Sequence, residues 1–271
     1  MKAKIIFAAL ILSFGIGMLL NSCKKDATST TDDMTSVAQD ETKVDNYFDD
    51  ASSQTDLYEN GTKSLELSSP CTPTVTITKP DGTAFPKHIV IDYGTTGCEG
   101  TFGNIRKGKI IVDQTGLMGI SGSVRTITFD NFYINDYKIE GTRTVTSNGL
   151  NTNQNYQRTV AMVNGQITTP DGKIITRNAE HVEEWIAGAD TPLNFTDDKW
   201  SVTGSATGTN RNGKSYTAVI TSPLIFDFGC QYKITQGIKT ITTENHVVVI
   251  DFGNGACDND ITKTVDGVVK N

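Results

Sequence analysis

Three histidines, five cysteines and two tryptophans stand out for their chemistry in this chain of 271 residues. His181 lies in "NAEHVEEW", beside Glu180, Glu183 and Glu184. This is not the H-E-x-x-H helix pattern of zinc hydrolases. On a strand alternate residues share a face, so His181 and Glu183 make at best a two-ligand half-site, and the expectation is a solvated, charged strand face. The motifs "GISGS" and "TGSATG" approach the G-x-S-x-G nucleophile elbow without matching it, and neither lies between a strand and a helix. No catalytic residue and no cofactor are expected. Trp185 and Trp200 flank the loop "IAGADTPLNFTDDK", which also carries Asp198. Aromatic side chains around a loop stack on sugar rings or grip a partner, so Trp185, Trp200 and Asp198 are the ligand-binding candidates; the competing role is that of core or loop anchors.

Two stretches are nearly identical, "IDYGTTGC" at Ile91 to Cys98 and "IDFGNGAC" at Ile250 to Cys257. A single offset of 159 relates Cys71 to Cys230, Asp92 to Asp251, Cys98 to Cys257 and Gly108 to Gly267, without a gap. This marks an internal repeat, 71–112 and 230–271, of one supersecondary unit. In the first copy two β-rich runs surround the turn signal Pro80-Asp81-Gly82. Such a hairpin brings Cys71 to Cys98, and the equal spacing of 27 predicts the same for Cys230 and Cys257. His88 and His246 precede the repeated stretches but are out of register by one under the offset, as expected of surface residues. Asp92 and Asp251 are equivalent, and an Asx turn at a strand end accounts for both. The metal-ligating alternative uses Asp251, Asn254, Asp258 and Asp260, but the spacing of a calcium loop is absent, and the first copy supplies only Glu99.

The elements that position these residues are read from pattern. From Cys71 onward, runs rich in Thr, Val, Ile and Tyr alternate with turn signals at Pro80, Ser147, Val163, Pro170, Arg211 and Gly253. "IEGTRTVTSNG" at Ile139 echoes "VTGSATGTNRNG" at Val202, each expected to be a strand entering an Asn-Gly hairpin turn. The fold class is all-β: an antiparallel meander of ten or more strands over residues 69–271, forming a curled sheet, a sandwich or an open barrel.

The N-terminus differs in kind. Lys2 and Lys4 precede an apolar run from Ile5 to Leu20, the pattern of an export signal over residues 1–22, and the run is short for a membrane span. "LNSC" at Leu20 to Cys23 resembles the lipobox of bacterial lipoproteins, which implies lipidation of Cys23 and an anchor in the membrane. Residues 24–69 carry eleven acids against four lysines, whereas the rest of the exported chain has twenty acids and eighteen bases. That balance gives no reason to expect nucleic acid as a partner. Residues 23–68 read as a solvated acidic tether, in which Val37, Val44, Phe48, Ala51 and Leu57 have the loose spacing of a short helix.

The stretches "RKGKIIV", "FDNFYINDYKIEGTRTVTSNGLN", "EWIAGADTP", "DDKWSVTGSATGTNRNGKSY" and "DFGNGACDNDITKTVDG", with the lipobox, resemble an uncharacterised lipoprotein family of Bacteroidetes. The resemblance implies an outer-membrane location on the periplasmic or exposed face and a common β fold; it carries no activity. The expected function is a non-enzymatic binding or structural module for a glycan or an envelope protein. The alternative is a carboxylate-dependent glycan hydrolase, for which two converging acids with perturbed pKa values would be the mark.

Overall fold

The computed structural model describes residues 27–58, 71–80, 82–100, 103–191, 194–230, 233–258 and 260–270, with helix side chains described from Ser36 onward. The signal, the lipobox and Cys23 lie outside the described residues. One helix, α1 (Ala27–Tyr58), precedes fourteen strands: β1 (Thr74–Thr78), β2 (Lys87–Asp92), β3 (Cys98–Glu99), β4 (Ile105–Gln114), β5 (Val124–Ile134), β6 (Tyr137–Leu150), β7 (Tyr156–Thr168), β8 (Ile174–Ala187), β9 (Lys199–Thr209), β10 (Ser215–Asp227), β11 (Lys233–Thr242), β12 (Val247–Asn254), β13 (Thr262–Val265) and β14 (Val268–Lys270). They form one open antiparallel sheet in chain order, with β3 a short side branch on β4. This is the expected all-β antiparallel meander, and of the forms expected for it the strands take none of the curled sheet, sandwich or open barrel but one open, uncurled sheet.

Residues 27–58 are not a solvated tether but a 32-residue helix laid on the sheet. The stretch contains neither Gly nor Pro, and the hydroxyls of Thr42, Ser53 and Thr55 bond back to carbonyls four residues earlier. Its buried face follows a seven-residue period: Val37, Val44, Ala51 and Tyr58, with Glu41, Phe48 and Thr55 between them, are all 0–2% exposed. Beneath lies one row of side chains that strand pairing carries across the sheet, from Ile77, Ile89, Val112 and Ile127 through Arg143, Met162, Ala179, Ala206 and Ala218 to Ile241, Val248 and Val265. Small residues occupy the middle of this row, where Val37 and Ala38 pack against Ala206 and Ala218. Phe48, by contrast, packs among the bulky side chains of the first half of the sheet.

The acids of the helix meet bases of the sheet. Asp40 pairs with Arg211, Glu41 and Asp45 with Arg177 and Lys239, Asp49 with Arg143, Asp50 with Arg106, and Asp56 with Arg125. These contacts run from β8 and β11 to β4 and β5, so the helix crosses the strands. From Ser36 to Tyr58 it rises roughly 33 Å, about seven strand spacings. Burial would raise the Asp45 carboxyl, but Arg177 and Lys239 prevail and hold it well below the usual carboxylate range.

Two sequence expectations change. Asn148-Gly149 and Asn164-Gly165 are not hairpin turns; they lie inside β6 and β7 at register shifts, with Gly149 and Asn164 at positive φ. The left-handed residue that makes a tight turn also makes a bulge. Gly108 in β4 shows how tight such a bulge is, since a Cβ there would stand 1.9 Å from the Asn131 carbonyl oxygen of β5. The repeat also loses its register. Ile77 pairs with Ile89, but the equivalent Gln236 does not pair with Val248, whose partner is Ile241. Pro80 and Pro86 force a loop in the first hairpin; Lys239 and Asn245 stand in their places in the second, where the strands run on to a short turn closed from the Thr243 N–H to the His246 carbonyl.

Removing the Asp45 carboxylate leaves the buried Arg177 and Lys239 to share Glu41, so Asp45→Asn should cost about 3 kcal/mol at neutral pH, measured by urea unfolding. Because the folded pKa of Asp45 is depressed, its contribution is full above about pH 5 and is lost as the pH falls toward the folded value. The acid decline in stability should therefore be shallower in the variant than in the wild type.

Candidate functional site

Both disulfides form as the spacing predicts, Cys71 with Cys98 and Cys230 with Cys257, at Cα separations of 5.2 and 5.3 Å. They sit at opposite ends of the strands, and the second marks the end where the binding candidates gather. On β8 the side chains Arg177, Ala179, His181, Glu183 and Trp185 alternate along the face that carries the helix. The face is not a solvated charged one. His181 lies beside Asp45, and its imidazole is held below its usual pKa by burial together with Arg177 and Lys239, against the opposing pull of Asp45. Glu183 bonds to Arg158, 2.6 Å away.

Trp185 and Trp200 are direct cross-strand partners on β8 and β9. Their rings stack 5.4 Å apart at 14°. Tyr156 of β7 leans on Trp185 at 6.2 Å, and the Arg158 guanidinium lies 4.4 Å from the Trp200 ring centre. Register extends the row: Leu150 pairs with Tyr156, Trp200 with Phe226, and Phe226 with Ile234. Leu150 is 51% and Tyr156 38% exposed, and the other four are half-buried. The ion pairs of the helix on this flank reach Arg125, Arg143 and Arg177, short of the row. Between helix and row a band of the sheet face carries Val145, Val160 and His181 and then Ser147, Arg158, Glu183 and Val202, and of these Val145, Val160, Ser147 and Val202 are buried.

Asp198 immediately precedes β9, two residues before Trp200. Its backbone carbonyl accepts from the Phe228 N–H, and its side chain is buried. Burial pushes its carboxyl above the usual value, with Asp197 adding to the rise and the Trp185 indole N–H acting the other way. That N–H and one Asp198 carboxylate oxygen are both buried and face each other without a well-formed hydrogen bond. The three binding candidates are thus brought together. Sequence reasoning missed Tyr156, Arg158 and Phe226, which lie 29, 27 and 41 positions from Trp185 and are joined to it only by strand pairing.

A second feature on the band concerns acids. One Arg143 nitrogen stands 2.9 Å from Asp49 and 3.9 Å from Glu183. Burial raises the Asp49 carboxyl against the pull of Arg143, with the neighbouring charges of Asp45 and Glu183 adding to the rise. For Glu183 burial opposes, but Arg158 and Arg143 lower the carboxyl.

The remaining candidates fall elsewhere. Asp92 and Asp251 each accept from the backbone N–H two residues on, at 2.8 and 2.9 Å, as Asx turns. Asp258 likewise accepts from the Asp260 N–H, and Asn254 pairs in the ladder with Gln236. Among the described residues no three His, Cys, Asp or Glu side chains group as a metal ion would need. His88 and His246 contact Asp113 and Asp266 at the surface. No protein-family model, curated protein or solved structure matches the chain.

Both tryptophans of the chain lie in this cluster, so its fluorescence reports on the site alone. Emission should titrate with a midpoint above the ordinary carboxylate value, and the step should vanish in Asp198→Asn. A titration unchanged in that variant would remove Asp198 from the indole's surroundings.

Proposed function

We propose that the protein is an envelope lipoprotein, anchored at the outer membrane through lipid on Cys23, that works as a non-catalytic binding module. The observation that carries the binding half is the Trp185–Trp200 stack at the centre of a six-residue row that the helix leaves uncovered. Aromatic rings with apolar flanks and a fixed ion pair beside them suit a glycan or an envelope protein. The anchor is supported by the lipobox and by the resemblance to Bacteroidetes lipoproteins.

Radioactive palmitate should label the wild type and not Cys23→Ala, with label persisting in the variant counting against the anchor. Trp200→Ala should abolish retention on envelope glycan or on an envelope-protein extract while leaving the melting temperature within a few degrees.

One observation favours a second reading, a carboxylate-dependent hydrolase of glycans. Asp49 and Glu183 meet on Arg143 with pKa values pushed in opposite directions, as a general acid and a carboxylate base require. Release of reducing ends from a bound glycan, lost in Asp49→Asn, would establish it; binding without release would dismiss it.

A further inference from the structure

We infer that the loop between β4 and β5, with the adjoining turn between β6 and β7, is a bilayer-docking surface that inserts Leu117 and Ile120 into the interface of a neutral membrane. This goes beyond the binding reading above and does not depend on lipid at Cys23.

Four large apolar side chains are exposed together at this end of the strands: Leu117 56%, Ile120 60%, Leu150 51% and Tyr156 38%. They are contiguous. Leu150 pairs with Tyr156 across β6 and β7, a Cβ at Gly119 would stand 3.8 Å from the Tyr156 ring, and one at Gly149 would touch Ser121. A lone exposed leucine is ordinary, but a contiguous apolar group marks a contact surface.

The backbone holds these side chains outward. The Ile120 N–H donates to the Leu117 carbonyl and the Ser123 N–H to the Ile120 carbonyl, which folds the loop into two successive turns. The Gly122 N–H donates to the Ser147 carbonyl, and the Ser147 N–H to the Ser123 carbonyl, which ties the loop to β6. Backbone groups that are already paired cost less to carry into an apolar medium.

Charge identifies the occupant. Residues 115–123 and 148–157 contain no Asp, Glu, Lys, Arg or His. A protein partner selected by charge has nothing to read there, and an acidic headgroup finds no cation on the tip. A neutral bilayer interface is the partner for which the lack of charge is an advantage. Exposed Asp190 and Asp197 of the β8–β9 loop bound the surface on one side and further disfavour anionic lipid. The side chains are also ordered by depth. Leu117 and Ile120 lie in the loop, Tyr156, Trp185 and Trp200 form the row at the strand ends, and the Arg158–Glu183 pair lies two residues further in. Aliphatic tip, aromatic belt and then charge is the sequence of layers a protein meets on entering a membrane interface.

The test uses the full-length protein, purified in detergent from the exporting cell and reconstituted with phosphatidylcholine–phosphatidylethanolamine vesicles whose acyl chains carry bromine, a short-range quencher of tryptophan. Leu117→Trp should add emission that is quenched several-fold more than the emission added by Ile174→Trp, an exposed position at the opposite end of β8. Ile120→Asp, introduced beside Leu117→Trp, should remove most of that quenching. Ile120 is the most exposed of the four, so the melting temperature should not change. Equal quenching at the two positions, or none at Leu117, would overturn the docking surface. So would quenching that survives Ile120→Asp or that grows as anionic lipid replaces neutral lipid. Retention of an envelope protein that Ile120→Asp abolishes, without quenching at Leu117, would make the tip a protein-docking surface instead. Palmitate labelling separates this surface from the anchor: quenching at Leu117 in unlabelled protein supports the surface and counts against the lipid, whereas labelled protein unquenched at Leu117 counts against the surface alone.

Discussion

The contact between an acidic helix and a basic row of the sheet is the constraint on which the rest depends. An open sheet of this width must cover one apolar face, and among the described residues α1 is the one element that lies on it. Apolar packing alone would not fix where the helix sits. Val37, Val44, Ala51 and Tyr58 recur every seven residues, so a slide of one period would still present an apolar side chain to most of the row. The charges break that degeneracy. A seven-residue slide would set Phe48 where Glu41 now meets Arg177, leaving a nearly buried guanidinium without that partner. Desolvation takes back much of what such pairs gain, so their clearest contribution is to register, as in coiled coils where a buried polar residue selects one alignment.

Much of this was written in the sequence in a form that periodicity reveals. Val37, Val44, Phe48 and Ala51 already have the helical spacing, and each is buried against the sheet. What hid the helix was its charge, because an acidic Ser/Thr-rich stretch has the composition of a solvated linker. The missing information was the partner surface: Arg106, Arg125, Arg143, Arg177 and Lys239 are scattered over five strands, and only the sheet gathers them beneath one helix. Asn212-Gly213 does turn the chain between β9 and β10, but Asn148-Gly149 and Asn164-Gly165 were misleading for a related reason. They report a backbone at positive φ, and whether that makes a turn or a bulge depends on how the neighbouring strand continues.

The candidate site shows the same boundary between local and pairwise information. Trp185, Trp200 and Asp198 were legible because they border one loop. Tyr156 and Phe226 were not, because the step from β7 to β8 or from β9 to β10 depends on register that the bulges displace. The Asp49–Glu183 meeting was less visible still, since one acid is on the helix and the other on β8. His181 shows the converse error. Its acidic neighbours suggested a solvated face, yet the residues that set its chemistry are Arg177 four positions back, Lys239 of β11 and Asp45 from the helix above.

The repeated "IDYG" and "IDFG" stretches are explained by strand direction. In an antiparallel meander, a unit displaced by an odd number of strands must point the opposite way. Along the sheet β11 and β12 lie nine places from β1 and β2, so the second Cys hairpin is inverted relative to the first. Cys71–Cys98 therefore closes one end of the strands near one edge, and Cys230–Cys257 closes the other end near the far edge. Two copies placed in this way cannot assemble a single site from their matched aspartates, whatever those side chains might bind. They can fasten diagonally opposite corners of an open sheet, where strand pairing alone is weakest. The aromatic row adjoins the second corner, where Phe226 and Ile234 lie just before and just after Cys230 and its disulfide. That cross-link limits how far β10 and β11 can part at the end of the sheet where the two tryptophans must keep their stacking distance.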